Sequence, residues 1–192
     1  MDMGRRGVRE EIVQAALVEF HRRGFNACSV EDITSAAGVP KGSFYNHFKG
    51  KEELAIEVLG RFAESTGHEV LLQREVPPLK RLKKYFTALS DGFLACDCHQ
   101  GCMLGNFASE MADHSASVRD ELAIRFAGWV DLMAEVIREA QQARQITSPL
   151  KPDVLAGFLL SAWEGTLLRA RAANDPAILK EFHNVAFNHL LT

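Results

Sequence analysis

The chain has no long hydrophobic run, few prolines, no segment of sustained strand alternation and no excess of positive charge. Each shortage excludes something. The two longest stretches free of Asp, Glu, Lys and Arg cover residues 98–109 and 182–192, well short of the roughly 20 apolar residues that span a bilayer. No membrane partner is expected. The opening Met-Asp-Met-Gly-Arg-Arg places charge where a secretory signal has an apolar segment, so a cytoplasmic protein is expected, its four cysteines starting as thiols. With 47% hydrophobic and 24% charged residues in 192, a disordered chain is also excluded. Nucleotide-binding loops and paired acids on one helix face are missing, which weighs against an enzyme. A net charge of −3 by itself argues against a nucleic-acid binder. Its distribution does not: residues 1–51 hold eight Lys/Arg against six Asp/Glu, and residues 52–192 hold fourteen against nineteen. The sign suits a basic head on an acidic body.

What is present is helical periodicity. The fold class predicted is all-α, with about nine helices. On the first, about 8–23, Ile12, Ala15, Ala16 and Phe20 form one stripe, and Gly24 ends it. Ser29 and Asp32 have capping-box spacing for a second helix over 30–37, which Gly38 stops. Pro40 suits the start of a third, about 41–48. A long fourth helix from Lys51 is expected to run towards Pro77-Pro78. Others follow over about 79–95, 103–113, 116–144, 153–173 and 176–190.

Two short helices joined by Gly38-Val39-Pro40 read as a helix-turn-helix. Lys41, Gly42 and Ser43 supply a small, polar start that can approach base edges, and Tyr45, Asn46 and His47 offer hydrogen bonds to phosphates or bases. Phe44 and Phe48, four apart, are the inward stripe. Lys51 opens the next helix, where its charge and the helix N-terminus both favour a phosphate. On spacing alone the same residues also fit a plain helical hairpin. The run Ile12-Val-Gln-Ala-Ala, Phe20, Gly24-Phe25, Ser29-Val-Glu-Asp-Ile33, Ala36-Ala-Gly38-Val39, Lys41-Gly-Ser-Phe-Tyr45-Asn-His47-Phe48 and Lys51-Glu-Glu-Leu54 resembles the DNA-binding domain of the TetR family of transcriptional regulators. The resemblance covers about residues 8–60. It implies an all-α homodimer whose variable C-terminal domain binds an inducer. It further implies that Lys41 and Gly42 face base edges while Tyr45, His47 and Lys51 hold phosphates. Two positions depart from the common pattern: Pro40 stands where Ser or Thr is usual, and Asn46, able to read adenine, stands where larger residues are frequent.

Three of the four cysteines, Cys96, Cys98 and Cys102, fall within seven residues. They fit a buried joint, a thiol switch, or a metal site. The metal reading ranks last, because Cys-x-Cys-His-x-x-Cys matches no common zinc spacing; no metal and no cofactor are expected. The buried joint ranks first for Cys96. The switch ranks first for Cys102, which precedes a predicted helix N-terminus where a thiolate is favoured, with Cys96 or Cys98 as resolving partner. Gly101-Cys102-Met-Leu-Gly105-Asn106 also resembles a TetR-family branch whose sixth helix opens in this way, some members of which respond to electrophiles through cysteine.

Phe62, Phe107, Trp129, Met133 and Trp163 are the expected lining of an effector pocket, although each also fits plain core. The last two helices carry long apolar faces, including Phe158 and Phe182, which suit a self-complementary homodimer contact. The division expected is a helix-turn-helix head at residues 1–50 and an effector-binding and dimerisation domain at 51–192. The function expected is a dimeric repressor bound to a palindromic operator and released by a small-molecule or thiol-reactive inducer. The alternative from another class is a thiol-dependent enzyme using Cys102 and His99.

Overall fold

A computed structural model describes residues 3–191, with side chains from residue 7 onward. Residues 1, 2 and 192, which the division above also covers, lie outside the described residues. Nine α-helices and no strand occur among the described residues: α1 Met3–Arg23, α2 Val30–Ala36, α3 Lys41–Phe44, α4 Lys51–Glu64, α5 Pro78–Ala95, α6 Met103–Met111, α7 Ala116–Gln142, α8 Pro152–Ala173 and α9 Ala177–Val185. No helix among them is long and apolar enough to cross a membrane.

Contacts sort the chain into two compact groups, Met1–Ala63 with Cys102–Arg125, and Glu64–Gly101 with Phe126–Thr192. In the first, α1 buries Ile12, Val13, Ala16 and Phe20. Phe20 and Phe25 meet Phe107 of α6 edge-on at 5.4 and 5.7 Å between ring centres. Gly24 closes α1 in the left-handed region at φ 78°, its N–H donating to Phe20 O. A Cβ there would also strike the Glu110 carboxylate. That carboxylate accepts the Asn26 N–H at 2.7 Å.

In the second group, α5 buries Leu82, Tyr85, Phe86 and Phe93 on one stripe. Phe86, Trp163 of α8 and Phe182 of α9 form a ring cluster with centre distances of 5.0–5.6 Å. The one buried cation among the described residues, Arg81, donates to Leu71 O at 2.7 Å and pairs with Glu139 of α7.

Three predicted elements differ. The fourth helix stops at Glu64, and a 3₁₀ turn over His68–Leu72 follows a left-handed Gly67 at φ 73°; glycine makes that conformation accessible well before the prolines act. The third helix is regular only over Lys41–Phe44, and residues 45–48 continue as tight turns with i→i+3 bonds from Asn46 to Ser43 O and His47 to Phe44 O. The last helix changes at Ala186 into a wider π turn over Ala186–Leu190. The joint at 96–102 is an ordered cap. Asp97 N–H bonds Leu94 O and Cys98 N–H bonds Phe93 O, the 5→2 and 6→1 pair of a Schellman ending, with left-handed φ of 50° and 60° at Asp97 and Cys98.

Candidate nucleic-acid interface and effector-domain residues

The helix-turn-helix is built from caps at both sides of its first short helix. Asp32 N–H donates to Ser29 Oγ at 3.1 Å and Ser29 N–H to Asp32 Oδ2 at 2.8 Å, the reciprocal pair read from the sequence. The Ser29 hydroxyl, which donates to Asp32 Oδ2 at 2.6 Å, then the Ser29 N–H and Arg23 at 2.9 Å pull the Asp32 pKa down to about 2. At the other end Gly38 sits at φ 68°; its N–H bonds Ser35 O and the Val39 N–H bonds Thr34 O. That left-handed turn lets Pro40 start α3 two residues later.

α3 and the turns after it divide cleanly into an inner and an outer side. Phe44 and Phe48 are buried, with ring centres 5.5 Å apart. Lys41, Gly42, Tyr45 and Asn46 are exposed, and Ser43 and His47 are half-buried. Tyr45 is 60% exposed, its ring edge-on to buried Phe44 at 5.2 Å between centres. A Cβ at Gly42 would meet nothing within 4 Å, so the position faces open space. Lys41 Nζ rests 3.1 Å from Glu31 in an exposed pair, worth little in water and easily exchanged for a phosphate.

Lys51 is placed differently. Its Nζ donates to the carbonyls of Phe25 and Cys28 at 2.8 Å each and lies 4.0 Å from the Phe25 ring centre. It ties the loop after α1 to the start of α4, and burial lowers its pKa. The neighbouring Cys28 thiol is fully buried and pushed up to about 11 by burial, then by Asp32 and Glu19.

The family profile for bacterial regulatory proteins of the tetR family matches residues 12–58, and that for a tetracyclin repressor-like C-terminal domain matches residues 78–186. The chain belongs to the TetR family. Among relatives, it is 39% identical to the HTH-type transcriptional repressor DhaR of Mycobacterium sp. (strain GP1), over 98% of this chain and 95% of that one. It is 28% identical to the transcriptional regulator AcuR of Cereibacter sphaeroides, over 95% and 85%. Its structure is similar to that of the regulatory protein TetR from Rhodobacter sphaeroides, with a TM-score of 0.86, 27% identity, and coverage of 94% and 97%.

The residues expected to line an effector pocket fall in both contact groups. Phe107 is buried against Phe20 and Phe25, and the Phe62 ring meets His21 at 5.2 Å, both in the first group. Trp129, Met133 and Trp163 are buried in the second. There Trp129 meets His68 and Tyr85, and Trp163 meets Phe86 and Phe182. Cys102 is the N-cap of α6 at φ −88°, ψ 126°, and is buried, as is Cys98, while Cys96 is half-buried. No group of His, Cys, Asp and Glu among the described residues could hold a metal ion. His99 hydrogen-bonds through Nδ1 with the Asp97 carbonyl of its own turn. Of the apolar residues on α8 and α9, Val154, Phe158 and Val185 are 51–56% exposed, but Phe182, expected on a homodimer contact, is only 7% exposed. Phe182 belongs to the core of the single chain, because the α8–α9 hairpin turns it onto Phe86 and Trp163 rather than outward.

Sequence reading missed His68, Arg81 and Tyr85. His68 precedes no motif, and Arg81 looks like any surface residue of an amphipathic helix until Glu139, 58 residues later, is brought beside it.

Proposed function

We propose that this protein is a homodimeric transcriptional repressor that binds a palindromic operator and releases it when a small-molecule inducer occupies its C-terminal domain. The observation that carries the reading is the exposed face of residues 41–47, where Lys41, Gly42, Tyr45 and Asn46 point outward from a pinned pair of buried phenylalanines. The likeness to DhaR, a transcriptional repressor, and AcuR, a transcriptional regulator, supports it. Lys41, Gly42 and Asn46 read base edges; Ser43, Tyr45 and His47 serve phosphates. Lys51 adds its charge near the backbone while holding the head together. The head is residues 1–50, and residues 51–192 supply effector binding and dimerisation.

The dimer surface is the α8–α9 face. A shallow groove of about 350 Å³ there is lined by Phe158, Ala162, Gly165, Ile178 and Val185, with Arg169 and Glu181 at its margin. Exposed apolar residues beside a pair of opposite charges suit a two-fold, self-complementary contact. Two heads on one dimer then reach half-sites one groove repeat apart. Induction is a population shift: the effector favours the conformation whose heads are wrongly spaced. A thiol-reactive inducer acting at Cys102 is the second reading, supported by that sulfur's place at the start of α6.

A gel-shift titration against the intergenic DNA beside the protein's own gene tests the reading. Binding should be specific, should fall steeply with salt, and should saturate at one dimer per palindrome. Equal affinity for unrelated DNA of the same length would sink it.

A further inference from the structure

We propose that His68, Tyr85 and Trp129 form a subsite for a small uncharged ligand bearing a hydrogen-bond acceptor, such as a carbonyl oxygen, to which the Trp129 indole N–H donates. The proposal rests on the reading of the chain as an effector-controlled regulator and names the class of effector. Trp129 is 3% exposed, and its Nε1 meets no acceptor. A buried donor left unmatched is a standing cost that an incoming acceptor removes.

The rings around it supply the shape. His68 lies 5.6 Å from Tyr85 and 5.7 Å from Trp129 between centres, and Tyr85 stands edge-on to Trp129 at 6.4 Å. Tyr85 and Trp129 are fixed on α5 and α7, where both are buried. His68 is not on a long helix. It opens the 3₁₀ turn His68–Leu72, entered through left-handed Gly67, and is half-buried. The far end of that turn is anchored, because Leu71 is fully buried and its carbonyl accepts from Arg81. The imidazole is therefore the movable wall. Swinging it outward vacates the volume of a five-membered ring against Tyr85 and Trp129. The turn follows α4 after only three residues.

Charge selects a neutral occupant. Burial lowers the His68 pKa, and its Nε2 hydrogen-bonds with Thr66 Oγ1 at 2.9 Å, so the wall is an uncharged imidazole at pH 7. The buried cation on α5, Arg81, is already neutralised by Glu139. An anion or cation entering the ring cluster would meet no countercharge from those three side chains.

The test uses the full-length protein without DNA, labelled with ¹⁵N at tryptophan, and three probes of similar size: cyclopentanone, methylenecyclopentane and cyclopentanecarboxylate. The Trp129 indole signal is assigned by its loss in Trp129→Phe. Cyclopentanone should move that signal saturably and leave the Trp163 signal in place. Methylenecyclopentane should bind about tenfold more weakly, the worth of one hydrogen bond, and the carboxylate should not bind. Trp129→Phe should bind ketone and hydrocarbon alike, and His68→Ala, which removes the wall, should bind cyclopentanone more tightly than the parent. A Trp129 signal unmoved by saturating ketone, equal affinities for ketone and hydrocarbon, or preference for the carboxylate would overturn the proposal. So would a bound water that stays on the indole N–H throughout. Since DNA is absent from this measurement, its failure leaves the operator gel shift untouched, and failure of the gel shift leaves this result standing.

Discussion

At Lys41 and Tyr45 two exposed side chains one turn apart have opposite tasks in the proposed complex, and their substitutions should separate. Lys41→Ala removes a base contact and is expected to weaken operator binding by about 1–3 kcal/mol while relaxing sequence preference. Tyr45→Phe removes a phosphate contact and should weaken all sequences alike. Gel shifts on the operator and on a scrambled duplex distinguish them; an unchanged operator affinity for Lys41→Ala would remove that helix from the groove. Elsewhere a single residue carries stability. Glu139→Ala leaves the Arg81 guanidinium buried and uncompensated. Breaking a fully buried pair costs about 3–5 kcal/mol, and since Glu139 is 32% exposed the expected loss is nearer about 2–3 kcal/mol in urea unfolding. Replacing both partners by methionine should restore most of it.

Among the elements, α2 depends on its caps and α9 on a histidine. Ser29→Ala should cost about 1 kcal/mol, the worth of an N-cap, and shift the head's unfolding without changing the ring clusters of the second group. The Asp32 half of the same box is held well below the usual carboxylate range. Its contribution is therefore present above pH 3.8 and lost as pH falls towards about 2. α9 is stapled to α5 by His183 Nε2 and Ser90 Oγ at 2.8 Å, and Ser90 Oγ in turn donates to Phe86 O. The serine is thus placed to accept from an Nε2–H of the imidazole. Burial first, then Lys83, lowers the His183 pKa, with Asp91 opposing. A depressed imidazole penalises the charged form only in the folded state. Stability should be full above pH 6.5 and decline as pH drops below it. His68 acts in the same direction. Urea midpoints from pH 7.5 to 5 should show the slope, and His183→Gln should flatten it in part.

For the molecule as a whole, dimerisation separates two phenylalanines that look alike in sequence. Phe158 is 56% exposed, so Phe158→Glu should fold normally, sediment as a monomer and lose operator affinity. Phe182→Ala should instead lose about 3–5 kcal/mol of folding stability, because Phe86 and Trp163 pack on it. A Phe158→Glu protein that remains a dimer would move the interface off α8.

Local rules were enough to read much of this molecule. Helical periodicity, the Ser29–Asp32 box, the stops at Gly24 and Gly38, and the division of residues 41–48 into inner phenylalanines and outer polar groups all depend on residues within a few positions of one another. Backbone hydrogen bonding and side-chain spacing settle them before any distant contact forms. The early end of α4 lay in a single glycine, whose conformational freedom permits a break without compelling one. The remainder needed the tertiary structure. Lys51 hydrogen-bonds carbonyls 23 and 26 residues back in the chain. Arg81 is tolerable inside only because Glu139 arrives from α7. Phe182 turns inward and Phe158 outward because α9 folds back onto α8 and α5. The Trp129 N–H is buried and unmatched only once α7 packs against α5 and the turn that carries His68. In each case the deciding energy is the burial or pairing of groups far apart in sequence, a quantity with no value until the helices have packed.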